Sequence, residues 1–169
     1  MVGDVKSADS VPPDRERQDD PVSSATPSEQ RASGSADASA YRRGHILVAE
    51  DERVNQQLLQ AMLDSLGYRV TMTNNGSEAL AAAAQNRFDL VLMDCQMPVM
   101  DGYAATRTIR EQEALAAQAS HRLPIVALTA DALKGDRERC LAGGFDDYLS
   151  KPYTRQQLRD VIQRWLQRK

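Results

Sequence analysis

Each of several acidic, hydroxyl and basic side chains directly follows a short apolar run. Glu50 and Asp51 come after the run ending at Ala49, and Asp94 after the run ending at Met93. Thr129 and Ala130 come after Leu128, and Ser150, Lys151 and Pro152 after Leu149. Carboxylates brought together repel and raise one another's proton affinity, so three at one place call for a divalent cation between them. All-oxygen ligation points to Mg²⁺, with Mn²⁺ as the substitute. Mg²⁺ keeps several waters and takes one or two carboxylates together with phosphoryl oxygens, which suits a site that handles phosphoryl groups. Lys151 would place a second positive charge on those oxygens, and the Thr129 hydroxyl could donate a hydrogen bond to them.

The elements that must position these residues are legible from periodicity. From His45 onward, apolar runs alternate with segments of helical period. The runs His45 to Ala49, Arg69 to Thr73, Asp89 to Met93, Leu123 to Leu128 and Phe145 to Leu149 have the length and composition of parallel strands covered on both faces. Helices are predicted between them. The first runs from Arg53 to Leu66, with Leu59, Met62, Leu63 and Leu66 on one stripe and Gly67 placed to end it. The second starts near Gly76 and turns Ala79, Leu80, Ala83 and Ala84 inward; the third follows Asp101 and Gly102; the fourth spans Ala132 to Ala142. The last opens at Thr154, with Gln157 three residues on in the capping-box pattern, and buries Leu158, Val161, Ile162, Trp165 and Leu166. The alternation predicts an α/β fold, a (βα)5 doubly wound five-stranded parallel sheet. In such a sheet ligands bind beyond the carboxyl ends of the strands, where the acids, the hydroxyl and the lysine would converge.

Composition bounds the rest. The chain has 169 residues, and 21 Lys and Arg against 24 Asp and Glu give a formal charge of −3, which excludes nucleic-acid binding by bulk charge. Residues 1–44 hold four of the seven prolines and eight serines, with no Leu, Ile, Phe or Trp, and read as a disordered tail or interdomain linker ahead of one domain at 45–169. Cys95 and Cys140 lack metal-ligand spacing and read as reduced thiols in a cytoplasmic, monomeric protein. No run approaches the roughly 18 apolar residues of a membrane span, so no membrane contact is expected.

Taken with their neighbours, these residues resemble the phosphoacceptor receiver domain of two-component response regulators. The resemblance is carried by Glu50-Asp51 with Asn55 four positions beyond the pair, Asp94-Cys-Gln-Met-Pro98-Val-Met-Asp101-Gly102, Thr129-Ala130 and Tyr148-Leu-Ser-Lys151-Pro152, and covers essentially all of residues 45–168. The texture is closest to receivers attached to hybrid sensor histidine kinases; a stand-alone single-domain regulator is the alternative. The resemblance implies a flavodoxin-like strand order 2-1-3-4-5. It implies Asp94 as the acceptor of a phosphoryl group from phosphohistidine on a histidine kinase or histidine phosphotransfer protein. The metal ligands would be Asp51, Asp94, the backbone carbonyl of Gln96 and, through water, Glu50. Lys151 would pair with the acceptor and its phosphoryl group, and the Lys151–Pro152 peptide would be cis. Thr129 and Tyr148 would form a switch pair, and Gln96 and Asp131 occupy positions the family uses to tune hydrolysis. No ATP-binding glycine-rich boxes are present, so kinase chemistry would lie elsewhere, and the chain's own reactions would be self-catalysed phosphoryl transfer and autodephosphorylation.

On the first helix, Val54, Leu58 and Ala61 form a second apolar stripe beside the core stripe and next to the acidic pair. This face is expected to dock on a helix of the phosphodonor. His45 and His121 are isolated and read as structural. A Mg²⁺-dependent phosphohydrolase of the haloacid dehalogenase type would need a second Asp two residues past the nucleophile, where this chain has Gln96. A flavodoxin-like flavin carrier would need small residues and backbone donors in the first loop, where this chain has acids.

Overall fold

The computed structural model describes residues 43–116, 122–130 and 136–167. The predicted tail at 1–44 lies almost wholly outside the described residues, as do His121, Asp131 and the first residues of the predicted fourth helix.

Among the described residues five strands form one parallel sheet: β1 His45–Ala49, β2 Arg69–Thr73, β3 Leu90–Asp94, β4 Ile125–Thr129 and β5 Asp147–Ser150, in the order β2-β1-β3-β4-β5. Between and after them lie α1 Arg53–Ser65, α2 Gly76–Gln85, α3 Gly102–Leu115, α4 Asp136–Ala142 and α5 Arg155–Leu166. The period of two along each strand sorts the core into two layers. Leu47, Ala49, Val91, Met93, Ile125 and Ala127 face one side, with Ala79 of α2, Ala105 and Ile109 of α3, and Cys140 of α4. Ile46, Val48, Leu90, Leu92, Val126 and Leu128 face the other, with Leu59 and Leu63 of α1 and Leu158, Val161 and Ile162 of α5. A strand covered on both faces has no room for a polar residue until it ends, which is why the acids and the lysine lie at strand ends.

The expected strands are all present, but three begin later than the apolar runs do. Leu123, Pro124 and Phe145 are half-buried or buried without being strand residues. The Leu123 carbonyl accepts from Arg110 Nη1 at 2.9 Å, and Asp89 sits just ahead of β3 with its Oδ2 accepting from His45 N at 2.8 Å. An apolar run reports burial, and burial extends past the last ladder bond. On α2, Ala84 is exposed and Ala82 packs inward in its place. Caps fall where the sequence puts them. The Asp101 side chain accepts from Ala104 N at the start of α3, and Thr154 and Gln157 form the reciprocal capping box of α5.

The end of the sheet away from the acids is clamped by a partly buried charge network. Arg110 donates to Asp146 Oδ2 at 2.5 Å, to Glu113 Oε2 at 2.7 Å and to the Gly144 carbonyl at 3.0 Å. Asp146 also accepts from Arg122 and from the backbone N–H of Ile125. No helix among the described residues is long and apolar enough to cross a membrane.

Candidate functional site

The strand order reverses on either side of β1 and β3, and the crevice at that switch point opens at their carboxyl ends. Glu50 leaves β1 there, its backbone N–H bonded to the Thr73 carbonyl at 3.1 Å. Asp94 is the last residue of β3, in register beside Leu128 of β4. Lys151 follows β5, and its N–H reaches back to the Thr129 carbonyl at 2.7 Å. The following Lys151–Pro152 peptide is cis.

At the centre is one ammonium between two carboxylates. Lys151 Nζ donates to Glu50 Oε2 at 2.6 Å and to Asp94 Oδ2 at 2.5 Å. The Glu50 residue is 1% exposed and Asp94 7%, so both acids are nearly dry while the lysine stem reaches them from the surface. Burial by itself would lower the proton affinity of Lys151, but its bonds to Asp94 and Glu50 outweigh that and raise it. The other Asp94 oxygen, Oδ1, accepts from the backbone N–H of Gln96 at 3.0 Å. Asp51 is exposed, and carboxylate oxygens of Glu50, Asp51 and Asp94 lie within 4.8 Å of one another. Three acids so placed, with a single lysine shared between two of them, make an all-oxygen donor set that fits a hard divalent cation.

Two clefts meet at this cluster. One, of about 640 Å³, contains Glu50, Asp51, Asn55, Asp94, Gln96 and Lys151 in its lining. The other, of about 520 Å³, extends from Asp51 and Gln96 past Thr129 to Tyr103 and Arg139. The loop from β3 to α3 lines both clefts through Gln96 and the second also through Met97, Pro98 and Asp101, and it is held tightly. Met100 N donates to the Pro98 carbonyl at 2.8 Å across Val99, which takes a left-handed φ of 70°. A β-branched residue is strained in that conformation. Gly102 N donates to the Cys95 carbonyl, and a Cβ at Gly102 would collide with the Asp94 carbonyl oxygen, so only glycine lets α3 start this close to the acceptor strand.

The structure thus brings Glu50, Asp51, Asp94, Gln96, Thr129 and Lys151 to one end of the sheet. Thr129 is 6% exposed at the end of β4. Tyr148 lies on β5, half-buried against the cluster that includes Ala127 and Cys140. Val54 and Leu58, 67% and 49% exposed, share one open face of α1 with exposed Ala61. Sequence reasoning did not single out Tyr103. Its hydroxyl lies 3.6 Å from Cys140 Sγ, its ring meets Phe145 edge to face, and Arg139 stands over it at 5.4 Å. Burial chiefly, with help from neighbouring Cys140, pushes the Cys95 thiol up to about 12, and both cysteines are free. For Tyr103 itself the sequence signal was an aromatic residue at the second position of α3. Asn55, seen in the sequence as a companion of the acidic pair, bonds to Glu50.

Comparison with known proteins agrees with this geometry. Residues 46–163 match the family model described as the response regulator receiver domain. The sensor histidine kinase GacS of Pseudomonas protegens is 39% identical over 124 residues, covering 73% of this chain but 13% of that protein. The chain therefore spans about an eighth of that curated relative. A crystal structure of the receiver domain of sensor histidine kinase PA1611 from Pseudomonas aeruginosa, with a magnesium ion coordinated in its active-site cleft, is 51% identical. It aligns with a TM-score of 0.65, covering 73% of this chain and 98% of that one. The receiver domain of the response regulator Ssk1, crystallised with the histidine phosphotransfer protein Ypd1 of Saccharomyces cerevisiae, is 31% identical. Its TM-score is 0.67, over 72% of this chain and 87% of that one.

Proposed function

The chain belongs to the response regulator receiver domain family, and from that premise we propose that Asp94 is its phosphoacceptor. In the proposed reaction an Asp94 carboxylate oxygen attacks the phosphorus of a phosphohistidine. The P–N bond breaks, the imidazole leaves with a proton taken from solvent, and an aspartyl phosphate forms. The observation that carries this reading is the Lys151 ammonium shared between Glu50 and Asp94 beside a third carboxylate. It leaves Asp94 nearly dry and next to a fixed positive charge.

Asp51, Asp94 and the Gln96 carbonyl would hold Mg²⁺, or Mn²⁺ in its place, with Glu50 acting through a water. When bound, the ion neutralises charge on the incoming phosphoryl oxygens. Lys151 would do the same with its ammonium, and the Thr129 hydroxyl would donate to those oxygens as the ammonium moves from carboxylate to phosphoryl. Movement of Thr129 toward the new group would be coupled to Tyr148 on the neighbouring strand, altering the α4–β5–α5 surface. Gln96, exposed beside Asp94, would limit the approach of water and so set the phosphoryl lifetime.

The donor would be a histidine kinase or histidine phosphotransfer protein whose helix lies on Val54, Leu58 and Ala61. The exposure of that stripe beside the acids supports this, as do the match to part of a sensor histidine kinase and the likeness to a receiver captured with a phosphotransfer protein. We place the chain accordingly as the receiver of a hybrid-kinase phosphorelay.

The test is phosphorylation by acetyl phosphate with and without Mg²⁺, read by intact mass. The wild type is expected to gain one phosphoryl group only with Mg²⁺, and Asp94→Asn to gain none. A Mg²⁺-independent adduct, or an adduct retained in Asp94→Asn, would overturn the assignment.

A further inference from the structure

Glu50 is held by more than Lys151, and the residues that hold it come from the first turn of α1. Asn55 Nδ2 donates to Glu50 Oε1 at 3.1 Å and to Glu52 Oε2 at 2.9 Å, so the two hydrogens of one amide are spent on two carboxylates. The Glu52 backbone N–H approaches the same Glu50 oxygen at 3.4 Å. Gln56 Nε2 fixes the main chain of the same residue, donating to the Glu50 carbonyl at 2.6 Å and to Asn74 Oδ1 at 3.0 Å. The two Glu50 oxygens therefore have different partners, an amide on Oε1 and the Lys151 ammonium on Oε2.

That division matters because glutamate has three rotatable side-chain bonds, and a carboxylate with no second partner can turn both oxygens toward the nearest cation. With Oε1 on Asn55, Lys151 engages Oε2 alone and retains its second bond, to Asp94 Oδ2. Partners that orient a directly ligating carboxylate typically change metal affinity by about 10–100-fold when removed, and because Glu50 would reach the ion through a water, the lower end of that range applies to its own partner.

We propose that Asn55 is a positioning residue for the metal site, acting through Glu50: its amide fixes the Glu50 carboxylate in the orientation that cation binding requires. This rests on the metal-dependent acceptor reading above.

The test is Mg²⁺ binding to the unphosphorylated chain, with no phosphodonor, followed by isothermal titration calorimetry in a double-mutant cycle. Asn55→Ala is expected to raise the Mg²⁺ dissociation constant about tenfold, the lower end of the outer-shell range. Alanine favours helix, and thermal unfolding monitored by circular dichroism should show the variant folded. In a Glu50→Gln background the same change should move the constant less than about twofold, because the group through which Asn55 acts is no longer a carboxylate. Wild-type affinity in Asn55→Ala would overturn the proposal. So would an equal loss in both backgrounds, which would mean that Asn55 acts on the helix rather than on Glu50. Absence of Mg²⁺ binding to the wild type would instead overturn the metal reading itself, and the role of Asn55 with it.

Discussion

Replacing Lys151 by methionine keeps most of the aliphatic stem and removes the ammonium from between Glu50 and Asp94. The two acids are then left nearly dry, with the Glu50 side chain 1% and the Asp94 side chain 10% exposed. At an effective dielectric near 20, two unit charges separated by the 4.8 Å that bounds this carboxylate cluster repel by about 3 kcal/mol. Independently, deleting one partner of a buried ion pair costs about 3–5 kcal/mol. Because the lysine itself is 21% exposed, the lower figure applies. The expected loss in unfolding free energy is thus about 3 kcal/mol in the presence of a chelator. The same deletion removes a cation that competes for the carboxylates, so a divalent ion should bind the variant more tightly than the wild type. Saturating Mg²⁺ should then narrow the gap between the two proteins by at least about 1 kcal/mol, through preferential binding to the folded state. Urea denaturation at neutral pH can measure both quantities, with the single tryptophan as reporter, since Trp165 Nε1 is anchored to Asp147 Oδ2 at 3.1 Å. A variant as stable as the wild type in chelator would refute the reasoning. A gap unchanged by Mg²⁺ would do so equally, because the carboxylates would then not be the ligands.

Further outcomes follow from other parts of the molecule. Leu58→Glu, on the exposed face of α1, should leave urea stability and acetyl phosphate labelling unchanged while slowing transfer from a phosphorylated histidine protein at least tenfold; unaltered transfer would remove that face from the docking surface. Arg110→Met breaks a pair whose side chains are 13% and 10% exposed and should cost about 3 kcal/mol in urea, since the more exposed Arg122 is then the one cation left on Asp146 among the described residues. Thr106 Oγ1 is buried without a hydrogen-bond partner, so Thr106→Val should raise stability by about 1 kcal/mol in the same assay. Burial holds the Cys95 thiol near 12 against its ordinary 9.0 and the Tyr153 phenol near 12 against 10.0. The folded state thus keeps protons that the unfolded chain releases. Their contribution is complete below about pH 9 and is lost as pH rises toward 12, so the urea midpoint should fall across that interval, and Cys95→Ala should flatten its first part.

How far the sequence revealed this molecule depended on whether a feature has a local signature. Burial on both faces of a strand forces an unbroken apolar run, so the run's end marks where polar chemistry can begin. Glu50, Asp94, Thr129 and Lys151 were legible for that reason. Capping is likewise local, and Thr154 with Gln157 announced the start of α5. The Arg110–Asp146 clamp was not legible, because 36 residues separate its partners and nothing beside either one indicates the other. Strand starts were misplaced where apolar residues are buried by the clamp or the helices rather than by the ladder, as at Leu123 and Phe145. The role of Asn55 was half visible. Its spacing from the acidic pair could be read, whereas the division of its two hydrogens between Glu50 and Glu52 depends on the helix turn that brings them together.

The centre of the site shows why it could be inferred only through the fold. Lys151 lies 101 residues from Glu50 and 57 from Asp94, so no local propensity can bring the three together. They meet because parallel strands deliver their carboxyl ends to one edge, and because β1 and β3 are neighbours while β5 stands beyond β4. A lysine stem long enough to cross from the end of β5 past β4 is what closes the distance. Arginine would supply a planar fork suited to one carboxylate, whereas the ammonium is a point charge able to serve two acids and then a phosphoryl group. The long-range pairing that is hardest to read from sequence is therefore the one on which the acceptor chemistry depends.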